Sequence, residues 1–227
     1  MATVLGRLLS FCEVCIISGG HVDQFKTQVL EHLDATPEQL GRLHLMPTCG
    51  TRYLRYREGH WYSVYVNEMS EEDRQAAIDS LTKHAKELGL WEDDPWGEII
   101  EDRGTQITFS ALGQQAPIDA KRAWDPDGSK KAALRDAVAE DLSELEVNSG
   151  GSTSIDITHT GVDKAYGLER LAEHTGVSLE DMIFVGDRLD EGGNDYPVTK
   201  LGCAVYEVSG WEDTADFIET LCDKFKE

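Results

Sequence analysis

Both ends of the chain alternate short, unbroken apolar runs with amphipathic stretches, and this pattern narrows the fold more than any other property of the sequence. At the start, Val4 to Leu9 suits a short helix, Val14 to Ile17 a buried strand, Gly19-Gly20 a tight turn, and Val22 to Leu33 an amphipathic helix. Near the end, Lys164 to Thr175 reads as a helix and Met182 to Val185 as a buried strand opening into Gly186-Asp187. Ala204 to Val208 reads as another strand, and Trp211 to Lys224 as a closing helix. Continuous apolar runs lack the in-out alternation of a half-exposed strand, so such strands belong in a parallel sheet wrapped by helices.

The middle follows a different rule. Tyr53 to Val66 looks like a hairpin turning at Glu58-Gly59, followed by a long helix from Glu71 to Leu88. A strand pair around Glu98–Glu101 and Gln106–Phe109, a helix from Ser129 to Asp141, and strands at Glu144–Val147 and Ser154–Thr158 complete it. Hairpins make antiparallel sheet, so an α+β module is expected between two halves of an α/β domain. With linkers near Thr48-Cys49-Gly50 and His159-Thr160-Gly161, the expected division is 1–49 and 160–227 for the α/β domain and 50–159 for the inserted module.

A balance of 43 acidic against 21 basic residues, formally -22, repels nucleic-acid backbones and anionic membrane surfaces, so neither is an expected partner. Cys12, Cys15, Cys49, Cys203 and Cys222 are odd in number and scattered, as reduced cytoplasmic thiols are. The Cys12-x-x-Cys15 spacing runs into an apolar strand without a second ligand pair, which makes buried thiols the better reading than zinc. The first residues lack the basic start and cleavage site of a signal peptide, and no apolar run reaches the ~18 residues of a membrane span. Trp61, Trp91, Trp96, Trp124 and Trp211 read as packing residues rather than sugar platforms.

The stretch Ile183-Phe184-Val185-Gly186-Asp187-Arg188-Leu189-Asp190-Glu191-Gly192-Gly193-Asn194-Asp195-Tyr196-Pro197 is the richest in chemistry. A buried strand ending in Gly-Asp and passing into a glycine-rich acidic loop sets oxygen ligands at the carboxyl edge of a parallel sheet, where open α/β folds bind ligands. Hard oxygen donors there suit Mg²⁺ bridging to a phosphate. A calcium loop would need flanking helices, whereas Phe184-Val185 before this loop reads as strand.

The string GDRLDEGGNDYP resembles the fourth motif of the haloacid dehalogenase (HAD) superfamily, in the version of its phosphomannomutase-like, type IIB branch. Ile16-Ile17-Ser18-Gly19-Gly20 is similar to motif two and Gly161 to Leu168 to motif three, in the family's order. The resemblance implies a Rossmann-like HAD core with a parallel sheet plus an inserted α+β cap domain of the second type (C2). It implies Mg²⁺-dependent phosphoryl transfer on a sugar phosphate, as a phosphatase or as a hexose-phosphate mutase. Ser18 would donate a hydrogen bond to a phosphoryl oxygen, Gly19 and Gly20 would leave room for the phosphate, and Lys164 would set a positive charge on it. Asp187 would ligate Mg²⁺, with Asp190 or Asp195 acting directly or through water and Asn194 orienting the loop. In the cap, Glu101 to Gln114 and Ser149 to Asp156 resemble the segments that hold the distal end of the sugar phosphate. Arg103 would grip an anion, with Ser154 and Asp156 on sugar hydroxyls or that anion; local sequence alone supports an ion pair of Arg103 with Glu101 or Asp102 equally well. A homodimer through the cap is also allowed by the resemblance.

Two departures qualify the expectation. Gln114 stands where the mutase pattern has an arginine, with Lys121 near another such position, which weakens the grip on a second phosphate. The family's first motif, a strand followed by Asp-x-Asp-Gly-Thr, occurs nowhere in the chain, so the nucleophile and the general acid-base are missing. The expectation is therefore that Met1 is an internal methionine, that the first strand of the core is absent, and that the 227 residues alone do not turn over. The competing reading is a catalytically dead sugar-phosphate and metal-binding module.

Overall fold

A computed structural model describes residues 1–226. The elements run α1 (Ala2–Leu8), β1 (Val14–Ile17), α2 (Val22–Gln28), α3 (Pro37–Leu40), β2 (Leu43–Met46), β3 (Arg52–Arg57) and β4 (His60–Val66). Next come α4 (Glu71–Glu87), β5 (Ile100–Asp102), β6 (Ile107–Ser110), α5 (Ile118–Trp124), α6 (Ser129–Asp141), β7 (Leu145–Ser149) and β8 (Ser154–His159). The last group is α7 (Lys164–Thr175), β9 (Ile183–Gly186), β10 (Ala204–Glu207) and α8 (Trp211–Lys224). They form two compact units, Met1–Val66 with Val162–Glu227, and Asn67–Gly161.

In the first unit β1 pairs in parallel with β2, and β3 and β4 extend that sheet antiparallel in the order β1-β2-β3-β4. A separate pair sets β9 parallel to β10. The hairpin turns at Glu58 and Gly59, both at positive φ (55° and 88°), as the tight two-residue turn requires. It belongs here and not to the inserted module, which moves the boundary from residue 50 to the Val66/Asn67 junction. The reason is pairing: Arg55 and Leu54 register with His44 and Leu45 of β2, a strand whose polar His44 hides it in the sequence. The amphipathic stretch expected to run to Leu33 leaves α-helix at Gln28 and continues as a 3₁₀ turn at Leu30–His32. Helices α1 and α8 pack together through Val4, Leu8, Ile218 and Cys222.

The second unit is an antiparallel sheet in the order β5-β6-β8-β7. Strict alternation sends Ile107, Phe109, Ile155 and Ile157 into a core with Leu81 of α4 and Leu134 and Val138 of α6. Thr108, Ser110, Ser154 and Asp156 consequently share the opposite face.

Candidate active site

Three loops of the first unit meet at the carboxyl ends of its parallel strands. β1 runs into Ser18, whose carbonyl accepts the Cys49 amide at 2.9 Å, and the Gly20 carbonyl accepts the Thr48 amide at 3.0 Å. The Ser18 Oγ accepts the Gly20 amide at 3.1 Å, which leaves its own hydroxyl proton free to donate elsewhere. Gly50 (φ 87°) and Gly167 make α7 lie directly on this turn: a Cβ on Gly50 would sit 2.5 Å from the Gly167 Cα, and one on Gly167 would meet the Ile17 side chain and the Cys49 carbonyl oxygen. That close approach sets the helix start against the end of β1. Asp163 caps the helix by accepting the Tyr166 amide at 2.9 Å, and Lys164 follows as its first residue.

From there the Lys164 ammonium reaches Asp195, forming a pair whose side chains are 13% and 1% exposed. The other carboxylate oxygen of Asp195 accepts the amides of Asp187 and Arg188, each at 3.1 Å. Glycine is required where this carboxylate approaches β9, because a Cβ on Gly186 would come within 2.6 Å of it. Gly193 closes the same loop, where a Cβ would lie 2.1 Å from the Arg188 carbonyl oxygen. Asp195 thus ties Lys164 to the loop, and Asp187 is left with an exposed carboxylate that has no protein partner among the described residues. Asp190 turns to the Arg188 guanidinium (3.1 Å), which holds its carboxyl below the usual range, and Asn194 is exposed.

Among the described residues no group of three or more His, Cys, Asp or Glu is gathered to hold a metal. The arrangement is not a carboxylate cage. It offers the exposed carboxylate of Asp187 at the strand end, with Asn194 on the same loop, and this donor set fits Mg²⁺, which takes one or two carboxylates and completes its shell with water and phosphate oxygens.

In the second unit the expected substrate residues divide into two local groups. Asp156 accepts hydrogen bonds from Gln106 Nε2 and the Thr108 hydroxyl, both at 2.8 Å. Burial pushes its carboxyl up, opposed by the Thr108 hydrogen bond and by the charge of Arg103. Arg103 itself is buried and forks onto Glu101 at 3.0 and 2.7 Å, so the ion-pair reading of the sequence holds without removing its charge from the Asp156 face. Ser154 lies on the same strand face, half-buried. Gln114 and Lys121 form the other group: Lys121 Nζ donates to the Gln114 carbonyl at 3.0 Å, and the buried Gln114 Nε2 lacks a hydrogen-bond partner. Gln106 and Thr108 were not anticipated as partners of Asp156, although their alternation with Ile107 and Phe109 signals that polar face.

Known proteins resemble this chain along most of its length. A phosphomannomutase of Schizosaccharomyces pombe is 29% identical over 154 residues, 66% of this chain and 58% of the relative. A probable phosphomannomutase of Caenorhabditis elegans is 28% identical over 132 residues, 55% of this chain and 50% of the relative. Phosphomannomutase 1 of Homo sapiens is 24% identical over 207 residues, 87% and 74% respectively. The chain spans about half the length of the first curated relatives it matches. Among solved structures, an N-terminally truncated Plasmodium falciparum IMP-nucleotidase superposes with TM-score 0.69 at 16% identity, covering 97% of this chain and 64% of that one. A haloacid dehalogenase-like hydrolase from Bacteroides thetaiotaomicron gives 0.61 at 15%, covering 97% and 91%. These two likenesses speak for the fold alone. A family model described as eukaryotic phosphomannomutase matches residues 2–224, and on that match the chain belongs to the eukaryotic phosphomannomutase family.

Proposed function

We propose that this chain carries the phosphate- and metal-binding residues of a Mg²⁺-dependent phosphoryl-transfer enzyme acting on a sugar phosphate, as a phosphatase or a hexose-phosphate mutase. The observation that carries the reading is the Lys164–Asp195 pair locked onto the β9 loop by two backbone amides, with Asp187 left free beside it. Phosphoryl transfer asks a protein to hold the phosphate and offset the charge on its equatorial oxygens. Lys164 supplies a fixed cation, the Ser18 hydroxyl proton is available to a phosphoryl oxygen, and Gly19 and Gly20 let that oxygen approach the backbone. Asp187, with Asn194 on its loop, is the residue that would hold Mg²⁺, which when bound supplies further charge neutralisation. In the second unit, Arg103 would bind an anionic group, with Ser154 and Asp156 on hydroxyls or on that anion. Gln114, neutral and paired by its carbonyl with Lys121, favours a single phosphate over a bisphosphate there.

A second reading, binding without turnover, is favoured by one specific observation: none of the 227 residues forms the Asp-x-Asp-Gly-Thr motif. The test is phosphate release from mannose and glucose phosphates with Mg²⁺, alongside calorimetric binding of the same compounds. Binding that Asp187→Asn and Lys164→Met abolish, without phosphate release, supports the binding module. Robust release refutes it, and absence of both refutes each reading.

A further inference from the structure

Among the described residues three that are not glycine sit at positive φ, and two of them are consecutive: Thr48 (49°) and Cys49 (53°), followed by Gly50 (87°). The left-handed region crowds any Cβ, and a β-branched residue such as Thr48 is among the least suited to it. Such a run persists only where its surroundings fix it. Its first two amides are spent on the Gly20 and Ser18 carbonyls, so the shape of the Ser18–Gly20 turn depends on the shape of this one. Its carbonyls are held in turn. Thr48 accepts the Thr51 amide at 3.1 Å and the Thr51 hydroxyl at 2.9 Å, and Gly50 accepts the Tyr65 hydroxyl at 2.6 Å. The Thr51 contacts are local, whereas Tyr65 reaches in from β4, 15 residues further on. Tyr65 is itself gripped by α7: the Arg170 guanidinium lies 5.5 Å from its ring centre and the His174 ring 4.9 Å from it. Burial holds its phenol above the usual range, so the hydroxyl stays protonated and able to donate at neutral pH.

We infer that Tyr65 is a positioning residue for the candidate active site: its hydroxyl holds the left-handed Thr48–Gly50 turn closed against α7, and that turn fixes the Ser18–Gly20 turn relative to Lys164. The inference rests on the phosphoryl-transfer reading for what Ser18 and Lys164 bind. The two residues stand on separate elements, the end of β1 and the start of α7, and among the described residues no hydrogen bond joins them directly. The link runs instead from α7 through Arg170 and His174 to the Tyr65 ring, from the Tyr65 hydroxyl to Gly50, and from the Cys49 amide to Ser18. Gly50 also rests on α7 at Gly167, where neither residue leaves room for a Cβ. Without the hydroxyl, rotation of the Gly50 peptide lets Thr48 and Cys49 return to ordinary backbone, and their amides leave the Gly20 and Ser18 carbonyls. Tyr65 acts through the turn, which makes it a positioning and not a catalytic residue.

The test uses the whole chain with Tyr65→Phe, which keeps the ring beside Arg170 and His174 and removes only the hydroxyl. Hydrogen exchange at the Thr48 and Cys49 amides is expected to quicken about tenfold or more, because the Gly50 carbonyl loses a short bond, while amides of β2 and of the middle of α7 change by less than about twofold. Affinity for inorganic phosphate with Mg²⁺ should fall about fivefold or more. Adding Thr48→Gly removes the Cβ that resists positive φ, so the turn closes without its tether. In that double variant Cys49 exchange and phosphate affinity should both return to within about twofold of the unaltered chain, whereas a merely structural role of Tyr65 predicts a further loss. Unchanged exchange at Thr48 and Cys49 in Tyr65→Phe, equal acceleration throughout β2 and α7, or no recovery with Thr48→Gly would each overturn the inference. Should Tyr65→Phe misfold, the Tyr65 hydroxyl proton is followed by NMR in the unaltered chain: slow exchange with a cross-peak to Gly50 supports the tether, and exchange at the solvent rate overturns it. If the unaltered chain binds no phosphate, the phosphoryl-transfer reading fails, and the exchange measurements alone decide the positioning.

Discussion

Replacing Lys164 by Met removes the only side-chain partner, among the described residues, of a carboxylate that is 1% exposed, and leaves the Asp195 charge inside the protein on two backbone amides. Breaking a buried ion pair from one side costs about 3 kcal/mol or more, because the stranded charge keeps its desolvation penalty. The Lys stem is itself nearly enclosed, at 13% exposed, so solvent screening relieves little of this. The assay is native-state hydrogen exchange of the β9 and β10 amides, which reads the first unit separately from the second. A loss of about 3 kcal/mol appears there as roughly 150-fold faster exchange. Converting the acid as well, in Lys164→Met with Asp195→Asn, removes the stranded charge while keeping an oxygen for the Asp187 and Arg188 amides. At least half the loss should then return. If Lys164→Met speeds exchange less than about tenfold, or if the double variant loses the sum of the two single losses, the pair is not the buried anchor described here.

Gly193→Ala should open the β9 loop, since its Cβ would meet the Arg188 carbonyl oxygen at 2.1 Å and backbone cannot step aside. A loss of about 2 kcal/mol in thermal unfolding is expected, with any affinity for Mg²⁺ lost alongside. His44 is 2% exposed, and burial, helped by the Arg55 charge, lowers it to about 4. The Glu13 carboxylate 3.5 Å from its Nε2 is half in solvent. Its folded value lies below the unfolded one, so its contribution is full above about pH 6.5 and declines as pH falls toward 4. Roughly 2–3 kcal/mol of the first unit's stability should vanish across that window and persist in His44→Gln. Burial pushes the Cys15 thiol up to about 12, so at pH 8 it should react with iodoacetamide on the order of a thousandfold more slowly than an ordinary thiol. Comparable labelling of Cys15 and a free thiol would contradict this.

Much of the layout was legible in order and spacing. The limits of β1, α6, α7 and α8 coincide with the stretches read from periodicity and caps, because each is bounded by strong local signals such as Asp163 before α7 and Gly176 after it. The glycine-rich acidic loop declared itself by composition. Less legible were β2, whose buried His44 breaks the apolar pattern and is accounted for by tertiary partners such as Tyr53, 2.7 Å from its Nδ1, and the hairpin, whose own residues do not say which sheet it will extend.

The sequence by itself determined the family, the order of the motifs and the chemical types of the candidate residues, since these are written in local runs of side chains. Only the tertiary structure decided that the β3–β4 hairpin joins the parallel sheet, and that Asp195 serves Lys164 and the backbone while Asp187 stays free. It alone decided that β1 and β9 line one cavity. Each of these depends on which distant segment satisfies a buried charge or a free amide, a contest settled by packing in three dimensions and not by neighbours in the chain.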